Sequence, residues 1–170
     1  MVYFNENDYD NAIPVFKKVI ADYPMSEEAE TALESLETVH INTNNVNSYM
    51  DYVKSLGRPV DRNAEVRADS ITFIAAEKQY IAGNYSGAIS SFSEYLQRYC
   101  PSGKFCALAQ NYLADSYYSS NNRQKALEEY AKITTQKGNP YAEEAALRAA
   151  EIAYDGKDYS AAMSYFKKLD

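Results

Sequence analysis

The chain has 170 residues, of which 24% are charged and 46% hydrophobic, with a formal net charge of −7, 17 tyrosines and no tryptophan. That composition excludes an intrinsically disordered chain, and the length suits one domain with a sizeable core or one short stack of repeats. The acidic balance, with no run of Lys or Arg, argues against nucleic acid and anionic membrane surfaces as partners, and no apolar run approaches the roughly 20 residues of a membrane span.

Val2, Tyr3 and Phe4 read as the end of a helix, and the chain reads as a piece of a longer array. No basic start followed by an apolar stretch marks a signal peptide; in such a piece that says little about compartment. Asp8 can cap a helix from Tyr9 to about Tyr23, with Ala12, Ile13, Phe16, Val19 and Ile20 on its apolar face. Pro14 lies near the first turn, where its missing N–H is less costly. Ser26 caps the next helix, and Glu27 and Glu28 suit the positive end of its dipole. Its stripe is Ala29, Ala32, Leu33, Leu36 and Val39, and Ile41 to Asn47 reads as an Asn-rich turn. Val46, Tyr49, Met50, Val53 and Leu56 make another stripe, ended by Gly57 and Pro59. Residues 57–62 read as a hinge or irregular linker. A longer helix then runs from Asp61 or Asn63 to Ala82, with Tyr85–Tyr99 as its partner. After a turn at Cys100, Pro101, Ser102 and Gly103, Phe105–Ser119 pairs with Gln124–Thr135, and Tyr141–Tyr154 pairs with Tyr159–Leu169.

A phrase recurs through these elements: a polar turn, an aromatic, Ala three positions later, and an aromatic four after that. It occurs as Tyr9, Ala12, Phe16, as Tyr85, Ala88, Phe92, and as Tyr159, Ala162, Phe166, with Arg123, Ala126, Tyr130 as a variant. Ala88 and Ala126 are 38 residues apart, Ala126 and Ala162 are 36 apart, and Ala12 precedes Ala88 by twice 38. One repeat with a degraded signature therefore lies between the first two matches. Ala76, Ala114 and Ala150 share a phase on each leading helix; small side chains there let paired helices approach closely.

These residues resemble the tetratricopeptide repeat family, whose unit is a helix pair with a small residue and Tyr on the first helix and Ala with an aromatic on the second. Here Leu113, Ala114, Tyr117 and Tyr118 precede Asn121, Asn122, Ala126 and Tyr130, while Ala76 and Tyr80 precede Gly83, Asn84, Tyr85, Ala88 and Phe92. Pro24 ends the first unit as the family Pro does. The chain departs from the pattern in lacking Trp and in exceeding the family's spacing of about 34. The resemblance implies an all-α superhelix, a solenoid of stacked antiparallel helix pairs with four to five repeats. Residues 1–170 would form it as one domain: a partial repeat over 1–24, a degenerate one over 26–57, and repeats over 61–100, 103–136 and 139–170.

The residues hold no catalytic constellation. His40 is the one histidine and reads as a surface or edge residue. The acidic neighbours Glu27–Glu28, Glu128–Glu129 and Glu143–Glu144 diverge around their helices, and no phosphate loop, EF-hand or zinc spacing is present. Neither an enzyme nor a cofactor is expected. Cys100 and Cys106, six apart across a turn, either form a disulfide in an oxidising compartment or remain two thiols, one at a helix end and one buried.

The resemblance further implies that first helices line a concave surface where partner peptides lie. In that phase the chain presents three rows: Phe73, Asn111 and Leu147; Glu77, Asp115 and Glu151; Tyr80, Tyr118 and Tyr154. Intervals of four and three residues keep the rows on one face. A carboxylate column beside a tyrosine column suits a protein or peptide that is basic or carries apolar anchors. The alternative is that the tyrosines pack between repeats and the acids are solvated. The family's grip on a terminal carboxylate uses Lys, Asn and Arg at these phases; Glu77, Asp115 and Glu151 would repel such a tail. The expected function is a non-catalytic protein-binding scaffold. Two alternatives stand beside it: an assembly component of a bacterial cell-envelope complex, and the regulatory repeat region of a larger enzyme. The turns GNYSGAISSF and DGKDYSAAMSYF are similar to those of cell-envelope proteins of the family, including outer-membrane assembly and Tol-Pal-associated factors, which implies the envelope or periplasm.

Overall fold

The computed structural model describes residues 2–57 and 64–169. Among them are ten α-helices and no strand: α1 (Val2–Asn5), α2 (Tyr9–Asp22), α3 (Glu27–Asn42), α4 (Val46–Ser55), α5 (Ala64–Ile81), α6 (Tyr85–Tyr99), α7 (Cys106–Ser119), α8 (Arg123–Thr135), α9 (Ala142–Asp155) and α10 (Tyr159–Phe166). The chain divides into two compact units, Met1–Ala64 and Glu65–Asp170. The linker expected over 57–62, apart from Gly57, and the helix start expected at Asp61 or Asn63 lie outside the described residues.

The repeat is written in the turns. Between α1 and α2, α3 and α4, α5 and α6, α7 and α8, and α9 and α10, one residue takes the left-handed conformation: Asn7, Asn44, Gly83, Asn121 and Lys157, at intervals of 37, 39, 38 and 36 residues. The next residue turns its N–H back to the carbonyl five positions earlier in every case: Asp8 to Tyr3, Asn45 to His40, Asn84 to Gln79, Asn122 to Tyr117 and Asp158 to Ala153, all at 2.8–2.9 Å. This is a Schellman closure, which satisfies carbonyls that the ending helix leaves open. Gly83 has φ +74°, where a side chain costs most, and Asn serves at three of the other turns because its short polar side chain tolerates that region. The capping residue then accepts from the N–H three positions on: Asp8 from Asn11, Asn84 from Gly87, Asn122 from Lys125 and Asp158 from Ala161. The second repeat, degenerate in its alanines, keeps this turn at Asn44 and Asn45.

In the first unit α2 packs on α3 and α3 on α4. Ala12, Phe16, Ile20, Ala29, Leu36, Val39 and Tyr49 are buried there. Helix α3 continues to Asn42, past the Ile41 at which a turn was expected. His40 lies four residues after the buried Leu36, on the same face of the helix. His40 is therefore 6% exposed rather than at an edge, its ring 6.1 Å from that of Tyr49, with Nδ1 lacking a hydrogen-bond partner. Burial, with the Lys17 charge of α2 behind it, holds its pKa below the ordinary 6.5. The unfolded chain then takes up a proton before the folded one does. Stability is full above about pH 6.5 and falls as pH drops through that value, by at most about 1.4 kcal/mol per pH unit. Hydrogen exchange of α3 amides, corrected for intrinsic rates, should show protection falling between pH 7.5 and 5.5, and His40→Leu should flatten the profile.

In the second unit α6 packs on α7, α7 on α8, α8 on α9 and α9 on α10. Ala76, Ala114 and Ala150 on the leading helices, and Ala88 and Ala126 on the following ones, are fully buried, with Ala162 at 3% exposure. Small residues at these crossings bring backbones together, and aromatic rings fill the space beside them. Phe73, Phe92, Tyr95 and Leu113 form one core with Ala76, Ala88 and Ala109; Tyr130, Ile133 and Ile152 form the next with Ala114, Ala126, Ala145 and Ala149.

Cys100 and Cys106 are disulfide-bonded, with Cα atoms 5.7 Å apart. The bridged loop is also tied to α5 from below. Asp69, 7% exposed, accepts the Tyr95 hydroxyl on Oδ1 and the Lys104 N–H at 2.7 Å on Oδ2; Tyr95 Oη in turn accepts the Phe105 N–H at 3.1 Å. Gly103 is required here, since a Cβ would lie 2.9 Å from Tyr99 Cβ and 3.0 Å from the Tyr95 hydroxyl.

Candidate functional site

The three rows read from the sequence fall on α5, α7 and α9, all within the second unit, and the structure sorts them by depth. Phe73 is 3% exposed and lies inside the core, so it does not line a surface. Its ring stacks on Phe105 at 4.4 Å and on Tyr112 at 6.3 Å, and meets Tyr95 edge-on at 5.7 Å. Asn111 is also buried, at 6% exposure, whereas Leu147, at the same repeat phase, is 42% exposed.

The carboxylates are half-buried, and each is engaged by its own chain. Glu77 Oε1 accepts the Tyr112 hydroxyl at 3.3 Å. Asp115 Oδ1 accepts the Tyr130 hydroxyl across from α8, and Oδ2 accepts a long 3.4 Å bond from Asn111 Nδ2. Glu151 pairs with Arg148 at 3.3 Å. The acids are thus more than a solvated face.

The tyrosines divide. Tyr80 stacks on Tyr112 at 4.6 Å, which is packing between neighbouring repeats. Tyr118 lies beneath Arg123, 3.8 Å from its ring centre, with Arg148 at 5.7 Å; such pairs gain from the ring quadrupole. Tyr154 is 59% exposed and meets Tyr159 edge-on at 5.3 Å.

Electrostatic neighbours tie the residues into one surface. Burial raises the Asp115 pKa, with Glu144 pushing the same way, while the Tyr130 bond and the Arg148 charge oppose it. Burial likewise raises Tyr80, followed by the charge of Asp115, and raises Tyr112, followed by that of Glu77. Four carboxylates, Glu77, Asp115, Glu144 and Glu151, therefore share the area with two guanidiniums, Arg123 and Arg148, and among the described residues no Lys or Arg forms an ion pair with the first three.

Sequence reasoning missed Tyr112, Tyr130, Glu144 and Arg148. Arg148 sits four residues after Glu144 and three before Glu151, so helical spacing alone could have found them. Tyr130 occupies the core phase of Phe16 and Phe92; its extra hydroxyl is the signal that this core ring needs an acceptor.

Sequence profiles described as tetratricopeptide repeat match residues 75–142 and 113–170, and another of the same description matches residues 1–26. The chain belongs to the tetratricopeptide repeat family. Solved structures agree in fold. A protein of Podosopora anserina assigned as a kinesin light chain, with nearly identical TPR-like repeats, superposes with a TM-score of 0.50 at 11% identity, over 98% of this chain and 88% of that one. A single-substitution variant of it gives the same score and identity over 98% and 87%. No curated protein matches the chain. As tetratricopeptide repeats generally mediate contacts between proteins, this chain is read as a protein-binding array.

Proposed function

We propose that the chain is a non-catalytic scaffold whose α5, α7 and α9 face binds a basic segment of a partner protein or peptide. The observation that carries this is the excess of carboxylates there, with no Lys or Arg at ion-pair distance from Glu77, Asp115 or Glu144 among the described residues. A cluster of like charges destabilises the free chain and is relieved when a complementary segment docks. Tyr118, Tyr154 and Leu147 supply apolar area beside it. Charge reversal tests the reading. Asp115 is unsuitable, since it holds the buried Tyr130 hydroxyl. Glu77→Lys with Glu144→Lys reverses two charges at positions that leave that bond in place. Immobilised wild-type chain should retain partners from source lysate in a salt-sensitive way, and the double variant, with unchanged circular dichroism, should lose at least about tenfold in retention, roughly 1.4 kcal/mol. Equal retention by both would end the assignment.

The disulfide favours a second reading of where this happens. Bridges persist in oxidising compartments and are rare in a reducing cytosol. An assembly array working in a bacterial cell envelope would meet that condition. Trapping of free thiols in the source cell, with both cysteines labelled, would remove this reading.

A further inference from the structure

A cleft of about 450 Å³ opens between the start of α8 and the end of α9. Its apolar lining is Leu127, Ile152 and Ala153, the last two only 7% and 4% exposed as residues; Arg123, Asp155 and Asp158 line it as well. The repeat explains why space is left. Three residues after the phase-marking alanines Ala76, Ala114 and Ala150 stand Gln79, Tyr117 and Ala153. Gln79 reaches Asn84 of its own turn at 2.7 Å, and Tyr117 packs against both cores of the second unit. At the same phase α9 offers only a methyl group. The volume falls within the range of about 300–1,000 Å³ typical of ligand clefts.

Arg123 joins this cleft to the face described above. Its guanidinium lies 3.8 Å from the ring centre of Tyr118, and no acid stands at ion-pair distance from it among the described residues. Asp155 has no Lys or Arg at that distance either. Asp158 gives Oδ1 to the Ala161 N–H at 3.0 Å. The lining therefore carries two carboxylates against one guanidinium.

We infer that the cleft receives one aromatic side chain of the bound segment, with a basic residue beside it in sequence. This rests on the groove reading above for the course of the segment, and adds its anchor. A ring brings large apolar area with two torsions to fix, which suits an apolar floor left open by a missing ring. A planar guanidinium stacks on aromatic faces, as Arg123 already does on Tyr118. The excess carboxylate charge favours a cation next to the ring and opposes an acid there.

The test uses the whole chain, labelled with ¹⁵N and ¹³C, titrated with acetylated and amidated Lys-Phe-Lys, Lys-Ala-Lys and Glu-Phe-Glu. Lys-Phe-Lys should give saturable shifts of the Ala153 and Gly156 amides and bind at least about fivefold more tightly than either other peptide. Its ring protons should show nuclear Overhauser contacts to the Ile152 and Ala153 methyl groups. Ala153→Tyr restores at this phase the side chain that Tyr117 has and should reduce Lys-Phe-Lys to the affinity of Lys-Ala-Lys. Asp155→Lys leaves the apolar floor untouched and should weaken Lys-Phe-Lys while removing the discrimination against Glu-Phe-Glu, so the proposal stays testable even when the tyrosine variant fails to fold. Equal affinity for Lys-Phe-Lys and Lys-Ala-Lys overturns the anchor, and leaves the groove standing when both shift amides of α5, α7 and α9. Ring contacts elsewhere than Ile152 and Ala153 also overturn it. If those two contacts persist while Glu77→Lys with Glu144→Lys leaves both lysine peptides equally well bound, the anchor holds and the groove reading falls.

Discussion

Asp69→Ala should destabilise the second unit by about 2–5 kcal/mol. The substitution removes few atoms, but it strips two donors at once: the buried Tyr95 hydroxyl and the part-buried Lys104 N–H both end on this carboxylate. Each buried donor left unmet costs about 1–3 kcal/mol, and more is at stake when the lost partner is charged. Tyr95 is fully buried, so water cannot replace the acceptor without opening the core. Asp69→Asn should cost less. Its carbonyl can still accept from Lys104, and its amide can donate to the Tyr95 oxygen, leaving one hydroxyl proton unmet rather than two donors. Tyr95→Phe should fall near Asp69→Asn. Combining Tyr95→Phe with Asp69→Ala should cost less than the two separately, since the first change already removes the shared bond. Urea unfolding followed by the near-ultraviolet signal of the tyrosines measures all four. A loss below about 1 kcal/mol for Asp69→Ala would show that the loop over 100–106 does not depend on this anchor. The disulfide is the competing restraint, worth roughly 2 kcal/mol for a loop this short. Repeating the series on Cys100→Ser with Cys106→Ser should make each loss larger.

What the sequence makes legible follows from how local each cause is. The turns are local: an Asn or Gly able to take positive φ, followed by Asp or Asn able to cap, is visible in four places, with Lys157 before Asp158 at the fifth, and Asn44 and Asn45 show the second repeat even where its alanines are gone. Helix ends at Tyr85, Tyr99, Ser119 and Thr135 follow from these signals and agree with the structure. The buried alanines are legible because a small residue at constant phase has few other reasons to recur. The sequence places His40 at an edge because the Asn content from Ile41 on outweighs the continuing stripe; the helix runs two residues further, to Asn42, and His40 stays on its buried face. The site is less legible because it depends on pairs from different helices. Nothing near Asp115 in the chain announces Tyr130, and nothing near Asp69 announces Lys104, 35 residues on. The three rows rested on the premise that equal phase means equal exposure. Phe73 and Leu147 break it: Phe105, which caps α7, and Tyr112 within α7 lie across Phe73, so phase gives the face of the helix and the neighbour decides the depth.

That difference is measurable in the same two residues. Phe73→Ala should cost about 3–5 kcal/mol, the range for deleting a buried aromatic and leaving its cavity. The local geometry places it toward the upper part of that range. Phe73 lies within 6.3 Å, centre to centre, of Phe92, Tyr95, Phe105 and Tyr112, so truncation removes contacts to four rings drawn from three elements. Rings fixed to two different helices, α6 and α7, cannot all close the gap together, and interiors at crystal-like density relax only in part. Leu147→Ala removes a side chain that is 42% exposed and should cost about 1 kcal/mol or less. Partner binding should respond in the opposite order once folding is accounted for: Leu147→Ala lowers retention of the bound protein while leaving the unfolding curve almost in place. Phe73→Leu preserves much of the volume and should recover over half of the lost stability. If Phe73→Ala unfolds at the same urea concentration as wild type, the ring lies on the surface after all, and Phe73 returns to the groove with Leu147.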